Sequence, residues 1–184
     1  MQHTLIRPDT RIKSVRILAF PATSSDPFPF RVSSTLDKSV GKKFLTDRNP
    51  DTCWTSQQGL PQFIQLLYTS PVIPRRLILT FQGGFVGTRC SVEYQPPGSS
   101  EWLALTDIYP EDVNRKQAFA IDSSPASPSQ ALRLSFLESS DFFGRVTVYD
   151  LDIEVARSLT LPLNPPNYRE IAWHLLHHTI LQSC

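Results

Sequence analysis

Histidine is nearly absent from the body of this 184-residue chain, its four copies being His3, His174, His177 and His178. Everything between them therefore lacks the side chain that most often serves as general base and metal ligand. Cysteine is as sparse, with Cys53, Cys90 and Cys184 at wide spacing and no CxxC pair. An odd, scattered set argues against a disulfide framework and suits a reducing compartment. No apolar run approaches the roughly 20 residues that cross a bilayer, and the opening "MQHTLIRPDT" lacks the apolar core of a secretory signal. A soluble intracellular protein is expected. A surplus of one charge sign is missing too: the formal net charge is +1, so no overall field draws in nucleic acid or an anionic membrane. Residues 1–48 hold nine Lys/Arg against four Asp, but these charges are scattered and read as a solvated surface.

What is present is alternation. "QFIQLLY" (62–68) stops at "TSPVIP", and "RRLILTF" (75–81) places Leu77, Leu79 and Phe81 on one face before Gly83 and Gly84. "TRCSVEY" (88–94) ends in "QPPGSS", a run of turn formers. "EWLALTDIY" (101–109), "QAFAI" (117–121) and "ALRLSFLE" (131–138) follow, each bounded by Pro, Ser or Asp. The clearest strand is "RVTVYDLDIEV" (145–155), where Tyr149, Leu151, Ile153 and Val155 alternate with Asp150, Asp152 and Glu154. Seven or eight short strands with almost no helical pattern predict an all-β antiparallel sandwich or jelly roll. "SVGKKFLTD" (39–47) alone suggests a helical turn.

The flanks break the pattern. Residues 11–30 crowd three prolines with Ser and Asp, and read as an irregular insertion in an N-terminal segment over 1–30. The sandwich is expected over 31–156, and 157–184 as a tail, disordered or loosely helical, cut by Pro162, Pro165 and Pro166.

Candidate chemistry is thin. Cys53 would need a base to act as a nucleophile, and the histidines stand only in the termini, so a structural cysteine is expected. "HLLHH" (174–178) gathers three imidazoles without the further ligands a zinc site needs, so no metal and no cofactor are expected. "DFFGR" (141–145) reads as a turn whose Phe142 and Phe143 cover one end of the sandwich. "FQGGF" (81–85) reads as a tight Gly-Gly hairpin beside an aromatic. The chain is not expected to be an enzyme.

"DRNPDTCWTSQQGLPQFIQL" (47–66) sets Asp47, Thr52, Trp54, Ser56, Gly59 and Gln62 at the spacing of the loop-and-strand signature of galactose-binding-like, or discoidin, domains. More narrowly, "GKKFLTD", "DTCW", "QGLPQ", "FQGGF", "DIYPEDVN" and "DFFGRVTVYDL" together resemble the small proteins associated with an orphan (testicular) nuclear receptor and described as its repressors. The resemblance covers about residues 31–156. It implies a galactose-binding-like β-sandwich jelly roll without enzymatic activity. It also implies a nuclear location, with the cytoplasm as a second one, and a role that binds the receptor and hinders its contact with DNA. "AWHLL" (172–176) is a near miss to a receptor-docking LxxLL helix, with Ala172 at the first leucine position. Some members of the superfamily hold Ca²⁺ before the tryptophan. Asp47 and Asp51 stand there, but the usual Asp-Gly turn does not.

Binding residues are usually carried by loops on a rigid scaffold. The expected contact surface is therefore the loop end, with Trp54, Gln57, Gln58, Phe85, Arg89, Phe142, Phe143 and Arg145. The alternative use of the same loops is a concave pocket for a carbohydrate-like ligand. Trp54 itself has the spacing of a plug, folded onto the end of the core.

Overall fold

The structure is a computed structural model and describes residues 30–122, 125 and 127–157. Among these lie β1 (Phe30–Val32), β2 (Trp54–Thr55), β3 (Gln62–Phe81), β4 (Arg89–Gln95), β5 (Leu103–Ile108), β6 (Lys116–Ala120), β7 (Ser129–Glu138) and β8 (Thr147–Arg157). Every pairing is antiparallel. Two 3-10 turns, Lys38–Val40 and Lys42–Leu45, occupy the stretch expected to be helical.

The two expected strands at 62–68 and 75–81 are one strand of 20 residues, which serves both sheets. Residues 62–67 of β3 pair with β1 and β7, Val72 pairs with both β7 and β8, and residues 73–81 pair with β8 and β6. With β7–β4 and β4–β5 pairing, this makes one layer in the order β1-β3-β7-β4-β5. The other runs β6-β3-β8-β2. Proline cannot donate to a ladder, so within a sheet it collects at edges and bulges. Pro71 lies within the first register break of β3, between Leu67 and Val72, and Pro74 borders the second, between Pro74 and Arg76. Arg75 is the extra residue there, and it switches the inward parity. Buried positions are Ile64, Leu66, Tyr68 and Val72 before the bulge, and Leu77, Leu79 and Phe81 after it.

Because β3 leaves from and returns to one end, that end gathers loops distant in sequence. Gln62 pairs with Phe136 near the close of β7, and Phe81 with Val148 near the start of β8. Residues 56–61, 82–88, 109–115 and 139–146 therefore share this loop end. The core between the layers is continuous, and Leu45, Trp54, Phe81, Val86, Cys90, Leu132, Leu134, Phe136 and Val148 are all fully buried. Burial pushes the Cys90 thiol and the Tyr68 phenol well above their ordinary pKa values.

Two expectations are corrected. "FQGGF" is not a hairpin, because β3 and β4 do not pair: the segment carries the chain from one layer to the other. Gly84 there takes a φ of 81°, and the turn is closed by Phe85 N donating to Gln82 O at 3.0 Å. Phe142 and Phe143 do not cover the core either, since they are 94% and 53% exposed. The end is closed from within by Phe81 and Phe136, packed edge to face with centroids 5.9 Å apart. Gly87 leaves room for this, because a Cβ at that position would come within 2.3 Å of the Phe136 ring. The insertion read over 11–30 lies outside the described residues except for Phe30, as do the "HLLHH" and "AWHLL" segments, Cys184, and the tail beyond Arg157.

Candidate functional site

The signature residues build the loop end from below. Asp47 Oδ2 accepts the Thr52 hydroxyl at 2.7 Å, and its Oδ1 accepts Asn49 N at 3.0 Å, which folds the loop ahead of β2. Trp54 has no solvent exposure, and its Nε1 donates to Ser34 O at 3.1 Å. Ser56 Oγ accepts from Val146 N at 2.9 Å and donates to Gln57 O at 2.8 Å. Gly59 takes a φ of 94°, and its N donates to Phe143 O at 2.8 Å. Gln62 is 5% exposed with its whole amide in use. Its Oε1 accepts from Ser33 and Ser34, and its Nε2 donates to Gln57 O and to Gly59 O. A buried amide satisfied on all sides fixes the loops it joins. These residues are scaffold.

On this scaffold the 139–146 loop is braced as a unit. Asp141 takes Arg145 in a two-pronged ion pair, with Nε to Oδ2 at 3.0 Å and Nη2 to Oδ1 at 3.1 Å. Its Oδ2 also accepts Arg145 N at 3.0 Å. Ser139 Oγ donates to Arg145 O at 2.6 Å and accepts from Asp141 N. Gly144 takes a φ of 75° with its Cα face against Leu60 and Gly59, where a side chain would crowd both. The hydrogen bond from Arg145 holds the Asp141 carboxyl below its ordinary pKa, and Asp141 in turn raises that of Arg145. A tight ion pair of this kind holds fixed charge and is poor machinery for moving a proton.

The Arg145 guanidinium lies 4.8 Å from the Phe85 ring centroid and 5.8 Å from that of Phe143, a cation–π bridge between two loops. Phe142 stands outermost, 5.3 Å from Phe143 in an edge-to-face pair. Leu60 is 41% exposed beside them. Sequence reasoning missed Leu60 and Asp141, although the four-residue spacing of Asp141 and Arg145 is visible along the chain.

Of the expected contact residues, Phe85, Phe142, Phe143 and Arg145 come together. Gln57 and Gln58 are exposed in the loop that Gly59 ties to Phe143. Arg89 sits at the head of β4, where its guanidinium meets Asp107 at 3.3 Å and Glu138 at 3.8 Å. Trp54 is the exception: buried beneath the loops, it has no surface to offer a partner, and the plug reading describes it. Cys53 Sγ lies 3.7 Å from Thr55 Oγ1, and no imidazole stands among the described residues.

No protein-family model matches the chain. Among curated relatives, the nuclear receptor 2C2-associated protein of Xenopus laevis is 44% identical over 127 residues, covering 67% of this chain and 90% of its own. Those of Danio rerio and Homo sapiens are 45% and 38% identical over 129 and 126 residues, each covering 67% of this chain and 87% and 88% of their own. Solved structures agree on the fold. An F5/8 type C domain from Bacteroides fragilis superposes with a TM-score of 0.58 at 16% identity, covering 71% of this chain and 93% of its own. A family 32 carbohydrate-binding module from C. perfringens, solved with galactose, gives 0.57 at 14% identity, covering 67% and 90%. On these identities the chain belongs to the nuclear receptor 2C2-associated protein family, built on a galactose-binding-like β-sandwich.

Proposed function

We propose that the chain is a non-enzymatic interaction module that binds an orphan nuclear receptor of the 2C2 type and represses its transactivation by hindering its contact with DNA. The name of its relatives supports the partner. The loop end supports the mode, and one observation carries it: Phe142 is 94% exposed at the tip of a loop whose every turn is braced. Solvating an aromatic ring forgoes roughly 2–3 kcal/mol of burial, and a ring presented on a rigid loop is a ready anchor for a partner. Phe143, Leu60 and the Arg145–Phe85 pair surround it with further apolar and cationic surface. Repression by hindrance places the complex in the nucleus, with the cytoplasm as a second location.

The carbohydrate reading of the same loops calls for a concave site with convergent polar groups. A protruding phenylalanine pair does not favour it.

The test is capture of purified receptor 2C2 by the full chain, with receptor–DNA binding followed by gel shift. Wild-type chain should bind the receptor and lower its DNA occupancy. Phe142→Ala with Phe143→Ala should weaken capture by about tenfold or more at unchanged melting temperature. Undiminished capture by that variant would remove the loop end as the contact, and undiminished DNA occupancy would remove the hindrance.

A further inference from the structure

The outer face of the β1-β3-β7-β4-β5 layer has a dimple of about 390 Å³. Its origin lies in the register. Ser91 of β4 pairs with Ser135 of β7, and Ser135 pairs with Phe63 of β3, so two of the smallest side chains adjoin beside a ring. In the neighbouring register Glu93 faces Arg133. The two serines form a low floor among taller neighbours. Pro61, Phe63 and Leu137 make an apolar wall, and Glu93 and Arg133 a polar one.

The polar wall is set in advance. Arg133 donates to Glu93 through Nε at 2.8 Å and Nη2 at 3.0 Å, and Ser135 Oγ donates to the same carboxylate at 2.9 Å. Trp102 backs the guanidinium, whose carbon lies 4.3 Å from the ring centroid. Glu93 Oε2 thus accepts two hydrogen bonds and Oε1 one. A carboxylate oxygen takes two, so Oε1 keeps one acceptor site. The ion pair also keeps the Glu93 carboxyl below its ordinary pKa, and so an acceptor at neutral pH.

We infer that this dimple is a second anchor site of the receptor-binding surface and takes a tyrosine side chain of the partner. The phenyl ring would lie against Phe63 and Leu137, and the phenolic hydroxyl would donate to Glu93 Oε1 over the serine floor. A ring with one polar tip matches one apolar wall and one fixed acceptor; an aliphatic side chain has no donor to offer, and a cation meets a carboxylate that Arg133 already pairs. The position favours a protein occupant over a free sugar. Pro61 follows the exposed Leu60, and Leu137 (37% exposed) leads into the loop that carries Phe142, so the apolar wall runs on into the loop-end surface. The inference rests on the receptor-binding reading.

Two measurements on the full chain test it separately from that reading. In the first, capture of receptor 2C2 is compared for Ser91→Leu, which fills the floor, Leu137→Ala, which lowers the wall, and Phe142→Ala at the loop end. Their melting temperatures are recorded alongside. The expected result is about tenfold weaker capture by Ser91→Leu and Leu137→Ala with melting temperature held. If Phe142→Ala weakens capture and the two dimple variants do not, the anchor is overturned and the loop-end reading stands. If none of the three weakens it, both fall. In the second, backbone amide NMR shifts are followed on adding N-acetyltyrosine amide, N-acetylphenylalanine amide and methyl β-galactoside. The tyrosine probe should move the amides of Phe63, Ser91, Arg133 and Ser135 most, and Ser91→Leu should abolish the response. A larger response to the galactoside would make the dimple a sugar site, and no response to the tyrosine probe would overturn the anchor.

Discussion

Trp54→Ala should unfold this protein at a much lower temperature than the parent. The indole has no solvent exposure, so truncation removes a full aromatic volume from between the loops and the core. Buried Trp-to-Ala changes cost about 3–5 kcal/mol through lost transfer energy and the cavity left behind. The variant also orphans Ser34 O, which accepts Nε1 at 3.1 Å, and an unmade buried hydrogen bond adds about 1 kcal/mol. The sum, about 4–6 kcal/mol, is a large part of the 5–15 kcal/mol that holds a domain together. At about 3–5 °C per kcal/mol for a sandwich of this size, the midpoint should fall by roughly 12–30 °C. Circular dichroism melts at matched pH and salt read this directly. Trp54→Phe keeps most of the volume and loses the hydrogen bond, so it should lie between parent and alanine. A midpoint for Trp54→Ala within about 3 °C of the parent would refute the plug. Lost receptor capture with an intact melt would refute it more sharply, by returning Trp54 to the contact surface.

Gly87→Ala puts a Cβ within 2.3 Å of the Phe136 ring. That overpacks the Phe81–Phe136 contact and should cost about 1–3 kcal/mol in urea unfolding. Gly98→Ala, where a Cβ meets nothing within 4 Å but φ is 74°, carries backbone strain without a clash, and should cost less than Gly87→Ala. Acid should weaken the loop end and the outer face together. The Asp141 and Glu93 carboxyls have lowered folded pKa values, so their contribution is present above an unfolded value of about 4 and is lost as pH falls through the folded ones. Asp141→Asn and Glu93→Gln should each lower stability at neutral pH, and their deficits should shrink toward pH 2–3; deficits independent of pH would refute the assignment.

The strands that alternate on their own were legible, and 131–138 and 145–155 fall within a few residues of β7 and β8. The continuity of β3 was not. Pro71 and Pro74 read as breakers because a proline cannot donate to a ladder, yet a strand that changes sheets needs irregular residues at its bend. β1 and β2 span three and two residues, too short for any periodicity, and form because β3 and β8 offer them edges. Phe85, Phe142, Phe143 and Arg145 were picked out by their places at strand ends, but their mutual geometry was not legible. Phe142 and Phe143 were expected to cover one end of the sandwich as well as to belong to the contact surface. Nothing in a one-dimensional pattern shows that Asp141, Ser139 and Gly144 hold their loop facing out. The dimple was illegible for a related reason: it exists only where two serines from different strands fall in register.

The residues that make the family recognisable are thus not those of the proposed contact surface. Asp47, Thr52, Trp54, Ser56, Gly59 and Gln62 spend their polar groups and volume on one another and on the adjoining loops. Such residues are fixed by the frame. This fits a chain that superposes on a B. fragilis F5/8 type C domain at 16% identity and on a carbohydrate-binding module at 14%. Phe142, Phe143, Leu60 and Leu137 are at least 37% exposed, and the frame asks little of them. The two groups should therefore separate by experiment. Substitutions in the first should lower melting temperature and receptor capture together, because the loops lose their support. Substitutions in the second should lower capture alone. A first-group variant that abolished capture without moving the melt would mean that the signature itself makes contact, and the division between frame and surface would fail.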